Sequence, residues 1–302
     1  MAGNDRTFQA YHGGDTATAE NINGVDNGGL MSAAIQFGKD RISRGSGDNQ
    51  AVDEVNQYIN FVRGVITTQD WPDIITLMDA ALAPVGTYGF YEKESGLATV
   101  NINTITKPVI HQASFSLSNF SPAQITYAFE CRATLVDDTI ADMWTRLAAQ
   151  DAPAAVLTTN RGDQITACVH GASDNETTVA HVTGLTFDIS GNLIKGEPGD
   201  GDAAYMAVDV AYPYTIGGTL TMQELTTAMS LAEQTVSADG YDLVLTINQM
   251  SAAAAKTLTI KNVLFTNNSG NLGQSYAGYT MNWVCNSPST IPLTLATAIT
   301  IA

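Results

Sequence analysis

Apolar and polar residues alternate along much of this chain. The period of two is plain in QITYAFECRATL (Gln124–Leu135), AYMAVDVAY (Ala204–Tyr212), YDLVLTI (Tyr241–Ile247), KTLTIKNVLF (Lys256–Phe265) and YTMNWVC (Tyr279–Cys285). Such alternation predicts half-buried strands. The Gly- and Asn-rich SGN (Ser190–Asn192) and NNSGN (Asn267–Asn271) predict tight turns between strands. Helical spacing is rarer. Trp71–Leu82 has Pro72 in the first turn after Asp70, and Ile74, Ile75, Met78 and Leu82 share one face. Thr139–Gln150 (Ile140, Met143, Trp144, Leu147) and Thr221–Gln234 (Met222, Leu225, Met229, Ala232) read the same way. Over Asp48–Val62 a helix through Val52, Val55, Ile59 and Val62 is preferred, narrowly, to a strand from Tyr58 to Ile66. The expected fold is mainly β: a β-sandwich or antiparallel sheets with a few short flanking helices.

The chain also resembles itself. In one alignment Asp73, Thr76, Ala80, Ala83 and Pro84 fall on Asp142, Thr145, Ala149, Ala152 and Pro153, and Phe115 falls on Phe187. GLTFDISGNL (Gly184–Leu193) then matches NVLFTNNSGNL (Asn262–Leu272) as a third copy. A competing alignment, with a spacing of about 150 residues, places the Trp71–Leu82 helix on Thr221–Gln234. It also places Phe115 on Phe265 and AFEC (Ala128–Cys131) on NWVC (Asn282–Cys285). Two-fold and three-fold repetition both stay open. Either permits a seam near Val136–Asp137, giving units of residues 1–136 and 137–302.

Composition narrows the function. The chain has 302 residues, 44% of them hydrophobic, so a large core is available. Only 14% are charged, yet acids outnumber bases 30 to 13 and the net charge is −17. Such a chain gains nothing from broad counterion release on nucleic acid and is repelled by an anionic membrane. A secretion signal and a spanning apolar run are both missing from the pattern, so the expected place of synthesis and folding is the cytoplasm.

Catalytic chemistry finds little to stand on. HExxH, CxxC, GxSxG, the P-loop and GxGxxG are all absent, and the expectation is a non-enzyme without cofactors. Cys131, Cys168 and Cys285 sit in strand-like runs and read as buried reduced thiols. His111 and His181 read as packing residues. The weak metal candidates are Asp200 and Asp202 in GEPGDGDAAY (Gly196–Tyr205), where hard oxygens beside glycines could suit calcium. An exposed hairpin tip is the plainer reading. Trp71, Trp144 and Trp283 read as core or inter-unit packing rather than a sugar platform.

The first 66 or so residues differ from the rest. ENINGVDNGG (Glu20–Gly29) and SRGSGDNQ (Ser43–Gln50) are loop-like, and Lys39, Arg41, Arg44 and Arg63 form a local basic patch in an acidic chain. One reading is a surface loop. The other is an N-terminal arm that docks on the acidic surface of a neighbouring copy.

Tandem half-repeats, Thr-rich alternating strands, one short helix per unit and loop-rich arms together resemble the tail tube (major tail) protein family of tailed bacteriophages. The resemblance implies a virion structural protein without enzymatic activity, assembled in the host cytoplasm. Its partners would be copies of itself, in trimeric or hexameric rings stacked into a tube, and other tail proteins. DNA would pass through without specific binding, and an acidic lumen would repel it. The alternatives are another virion structural protein (capsid, cement or baseplate) and a carbohydrate- or calcium-binding β module.

Overall fold

The computed structural model describes residues 6–13, 30–45, 54–69, 71, 75, 87–94, 99–151, 162–172, 175–199, 202–233, 241–249, 255–272, 277–285 and 298–302. Within them the protein is mostly antiparallel β-structure. The strands are β1 (Arg6–Gly13), β2 (Leu30–Gly45), β3 (Glu54–Thr68), β4 (Thr87–Glu94), β5 (Thr99–Thr106), β6 (Pro108–Ser118), β7 (Gln124–Cys131) and β8 (Trp144–Asp151). They continue as β9 (Asp163–Ala172), β10 (Asn175–Thr178), β11 (Val182–Lys195), β12 (Val208–Met222), β13 (Tyr241–Gln249), β14 (Lys256–Leu272), β15 (Ala277–Cys285) and β16 (Ile299–Ile301). Two helices are described: α1 (Ile140–Met143) and α2 (Leu225–Ala232).

Among the described residues these strands form two sheets. One has 4 strands in the order β1-β4-β5-β8. The other has 12, in the order β10-β9-β13-β14-β15-β12-β11-β6-β7-β3-β2, with β16 pairing β14. The long β14 changes partners along its length. Its first part pairs β13 and β16, and from Val263 onward it pairs β15. Asn262, with φ 54°, marks the change. Lys107, with φ 44°, sits at the corresponding junction between β5 and β6.

The apolar faces meet in one core. Phe115 and Phe187 lie opposite each other in β6 and β11, their rings stacked 4.6 Å apart. Trp71 meets Phe115 edge-on at 5.2 Å, and Trp283 lies 6.4 Å from Phe187. Leu243, Leu245, Ile247, Leu258 and Ile260 of β13 and β14 join the same cluster, and Ala228 and Leu231 turn the buried face of α2 into it. Trp71, Trp283, Cys131 and Cys168 are buried, whereas Trp144 and Cys285, expected to be buried as well, are only partly so.

Several elements differ from expectation. The helix expected over Thr139–Gln150 is one turn, α1; the chain then runs as β8, pairing Trp144 with Ile105 and Thr145 with Thr104. A short isolated helix is marginal, and long-range pairing offers more. Of the expected Asp48–Val62 helix, residues 48–53 lie outside the described residues, and from Glu54 on the strand wins: β3 pairs β2 along its whole length. Its helix-like spacing has a cause. Val62 and Ile66 face the main core, whereas Ile59 is buried in a separate small cluster with Val109, Tyr205, Val208 and Val210. SGN and NNSGN are not turns. Each lies inside a long strand at a break in register, between Ser190 and Asn192 and between Phe265 and Asn268. A bulge uses the same permissive residues as a turn. At Gly191 a Cβ would lie 2.2 Å from Val210 Cγ1, so only glycine fits. The Trp71–Leu82 helix lies largely outside the described residues, though Trp71 and Ile75 have helical backbone and are buried. α2 is the core of the expected Thr221–Gln234 helix.

Phe115→Ala removes the ring that touches both Trp71 and Phe187. It is expected to cost about 3–5 kcal/mol of unfolding free energy, measured by urea denaturation. A cost near zero would mean that this cluster does not hold the core together.

Candidate functional site

The sheet section β2-β3-β7-β6-β11-β12-β15-β14 has one buried and one open face. Alternation along each strand assigns the residues, and register aligns them across strands. On the open face Ser114, Ser116 and Ser118 stand opposite Asp188, Thr186 and Gly184. These stand opposite Gly217, Thr219 and Thr221, which in turn meet Val284, Asn282 and Thr280. On the other side Ser114 and Ser116 stand opposite Thr126 and Gln124, and Thr126 stands opposite Thr67. Hydroxyls bond across strands, Thr186 with Thr219 at 2.7 Å and Thr67 with Thr126 at 2.9 Å. In these rows Asp188 is the single charge. These rows form a hydroxyl and amide surface.

Beyond these rows several charges cluster around Lys195, apart from a separate pair of Lys261 on β14 with Asp242 on β13. Lys195, at the end of β11, is ion-paired with buried Glu130 of β7 and lies 3.5 Å from Asp40 of β2. Its ammonium also sits 4.9 Å from the centre of the Tyr205 ring. Burial, followed by the Asp40 and Glu130 charges, pushes the Tyr205 phenol up. His111, in β6, is held below its usual value, first by burial and then by Lys195. Residues 196–199 and 202–207 run over this region as a strap. Gln57 Nε2 donates to the carbonyls of Gly199 (2.8 Å) and Asp202 (2.9 Å), and Asn60 N–H donates to Ala203 O at 2.7 Å. Ala133 N–H donates to Tyr205 O, and Ala203 N–H to Val136 O.

A second clamp closes the other end of β6. The turn from β6 to β7 is gripped by the start of β9. Asp163, fully buried, accepts the Ala123 N–H on its carboxylate. Its backbone accepts from Phe120 N–H (2.7 Å) and donates to Ser121 O (3.0 Å). Asn119 donates to Val182 O at 3.1 Å and accepts the Ile165 N–H at 2.8 Å. A recess of about 410 Å³ lies beside it, lined by Cys168, His181, Thr183 and Gln223 among others.

The residues singled out from sequence are scattered. Lys39 and Arg41 are exposed on β2; Arg44 lies near its end, its side chain outside the described residues. Arg63 is on β3, opposite Gln36 and Glu130, with its guanidinium 4.3 Å over the Phe61 ring. The stretch 30–45 is thus a sheet strand rather than a free arm, because its alternating apolar residues pair with β3. Asp202 is half-buried and accepts the Gly199 N–H at 2.5 Å in an exposed turn, and Asp200 lies outside the described residues. No group of three or more metal-ligating side chains occurs among the described residues. His170 packs in the core between Phe265 (4.9 Å) and Tyr241 (5.6 Å), while His181 is exposed. Burial raises the thiols of Cys168, to about 12, and Cys285, to about 11. That is the wrong direction for a nucleophile. No described helix is long and apolar enough to cross a membrane. Sequence reading missed Lys195, Glu130 and Asp163, whose partners lie far along the chain.

No protein-family model matches this chain, and no curated protein matches its sequence.

Two outcomes test the charged cluster. Lys195→Met strands a buried Glu130 and is expected to cost about 3 kcal/mol; adding Glu130→Gln should restore most of the melting temperature. Folding favours neutral His111, so its contribution is present above pH 6.5 and is lost as pH falls through the unfolded value toward the lowered folded one. Denaturation midpoints from pH 8 to 5 should therefore decline less in His111→Gln than in the parent.

Proposed function

We propose that this chain is a structural protein that assembles with copies of itself, edge to edge, into a ring around a channel. The tail tube of a tailed phage is the arrangement it fits best. One observation carries the reading. Inside the chain, β6 pairs β11 and so joins two similar sets of strands. Among the described residues the same two kinds of edge stand unpaired elsewhere: the outer side of β2, and the β13 side of β14 beyond Val263.

Strand order supports treating the sets as two copies of one unit. β2-β3-β7-β6 runs as β11-β12-β15-β14, and β1-β4-β5-β8 runs as β9-β13-β14-β16. Trp71 and Ile75, after β3, have helical backbone, and α2 follows β12. On this scheme Gly45, Gly47 and Asp48 fall on Gly199, Gly201 and Asp202, and Gln69 falls on Gln223. Lys107 and Val109 fall on Lys261 and Val263; Ser121, Ala123, Thr126 and Cys131 fall on Ser275, Ala277, Thr280 and Cys285. This favours two-fold repetition, with β8 closing the first unit and β9 opening the second.

An unpaired edge on a large sheet invites another strand, and a rotationally closed ring removes it. The edge of β14 then receives β2 of the next copy, as β6 receives β11. The basic residues Lys39 and Arg41 stand on that incoming strand. A ring of about three chains presents about six units, a wide barrel with room for an aqueous channel. Its inner wall is the hydroxyl and amide face. A wall with few cations makes no strong phosphate contacts, so DNA slides along it.

Negative-stain electron microscopy of the purified chain at rising concentration, with mass photometry, is the test. Hollow rings or tubes of uniform diameter are expected. A monomer under every condition sinks the reading.

A further inference from the structure

Phe37 is exposed where the pattern of its strand would bury it. It lies on β2 opposite Val62, on the side that also turns Ala33 and Ile35 toward the main core. Val62 is fully buried, yet the Phe37 side chain is 56% exposed. Its ring leans on Trp144 of β8, centres 5.2 Å apart, and Trp144 donates its indole N–H to the Asn103 side-chain oxygen at 3.3 Å. The ring is thus propped in place with more than half of it open.

The registers say what belongs beside it. Arg63 stands opposite Glu130 and Gly64 opposite Phe129, just as Gly217 stands opposite Val284 and Gly218 opposite Trp283. Ile35 lies opposite Gly64 and Phe187 opposite Gly218, so Ile35 holds the place of Phe187, and Phe37 that of the fully buried Ile189. Phe115 lies opposite Ile125 and Gly270 opposite Tyr279, so Gly270 holds the place of Phe115, and Ser269 that of Ser114. Among the described residues the outer side of β2 and the matching side of β14 are both unpaired.

We infer that β2 of one copy pairs β14 of the next with Ile35 opposite Gly270 and Gln36 opposite Ser269, and that the Phe37 ring covers Gly270. This rests on the ring reading above and names its register and its anchor. Gly270 then lies diagonally across from Phe37, within reach of an aromatic side chain. A ring laid over a cross-strand glycine shields backbone that the glycine leaves bare. The internal joint stacks Phe115 on Phe187; the joint between copies uses one ring, moved one inward position along the strand. Gln36 and Ser269, both exposed, meet on the open face as Asp188 meets Ser114 inside the chain.

The test uses the full chain. Directly opposed strand residues lie within disulfide range. Gln36→Cys with Ser269→Cys, oxidised with copper phenanthroline after assembly, should give a ladder of covalent multimers that neither single substitution gives. Ala34→Cys with Ser269→Cys, two residues out of register, should give none. Phe37→Ser is expected to raise the concentration at which rings form about tenfold in sedimentation velocity, with the monomer still folded by circular dichroism. Rings without a ladder from the first pair, a ladder from the second, or assembly of Phe37→Ser at the wild-type concentration overturns this joint and leaves the ring reading standing. A wild-type chain that never assembles overturns both.

Discussion

The ladder between β6 and β11 is the contact on which the rest of the molecule depends. It places Phe115 directly opposite Phe187, and their stacked rings anchor the buried side of the sheet. The pairing keeps the alternation of both strands in phase. Every apolar residue on one side of the joint therefore meets an apolar residue on the other, and every serine meets a polar or glycine partner. A slip of one residue would reverse both faces at once. The joint is closed at both ends by elements from the second half gripping the first: the strap of residues 196–199 and 202–207 over β3, and Asp163 on the turn after β6. Three independent contacts thus hold one register.

This arrangement sorts polar groups by what they do. Hydroxyls that need only a neighbour or water lie on the open face. Charges gather under the strap, where Glu130 is nearly inaccessible and Lys195 neutralises it. A buried pair of this kind adds little net stability but penalises any arrangement that separates its members. Here the members come from different halves, so the pair reports correct joining. Asp163 serves the same end at the other side.

The candidate site was only partly legible. The basic residues Lys39, Arg41 and Arg63 stood out as a patch, and all three lie on the β2–β3 pair at one margin of the sheet. Their meaning depends on that margin, which no local pattern reveals. Asp202 drew attention through its flanking glycines, but its carboxylate holds the strap's own turn. The open face could not be read as a unit, because its residues come from many strands. Only register decides that Ser116, Thr186, Thr219 and Asn282 form one row.

Alternation by itself determined the strand class, the buried aromatic and thiol residues, and the position of α2, because a period of two or 3.6 is a local property that needs no partner. It misread β3 as a helix and the one-turn α1 as a longer one. In β3 the burial switches faces at the strap, and in β8 the partner strand is far away in sequence; neither fact exists in the local chain. The bulges at Gly191 and after Phe265 look like turns for the same reason, since permissive residues mark a backbone need without saying which. Tertiary structure alone decided which strands neighbour which. It thereby decided the sides of the sheet, the pairing of Lys195 with Glu130, and the margins that stand unpaired among the described residues. Strand order is set by the summed burial of contacts distant in sequence, and no window of residues contains that sum.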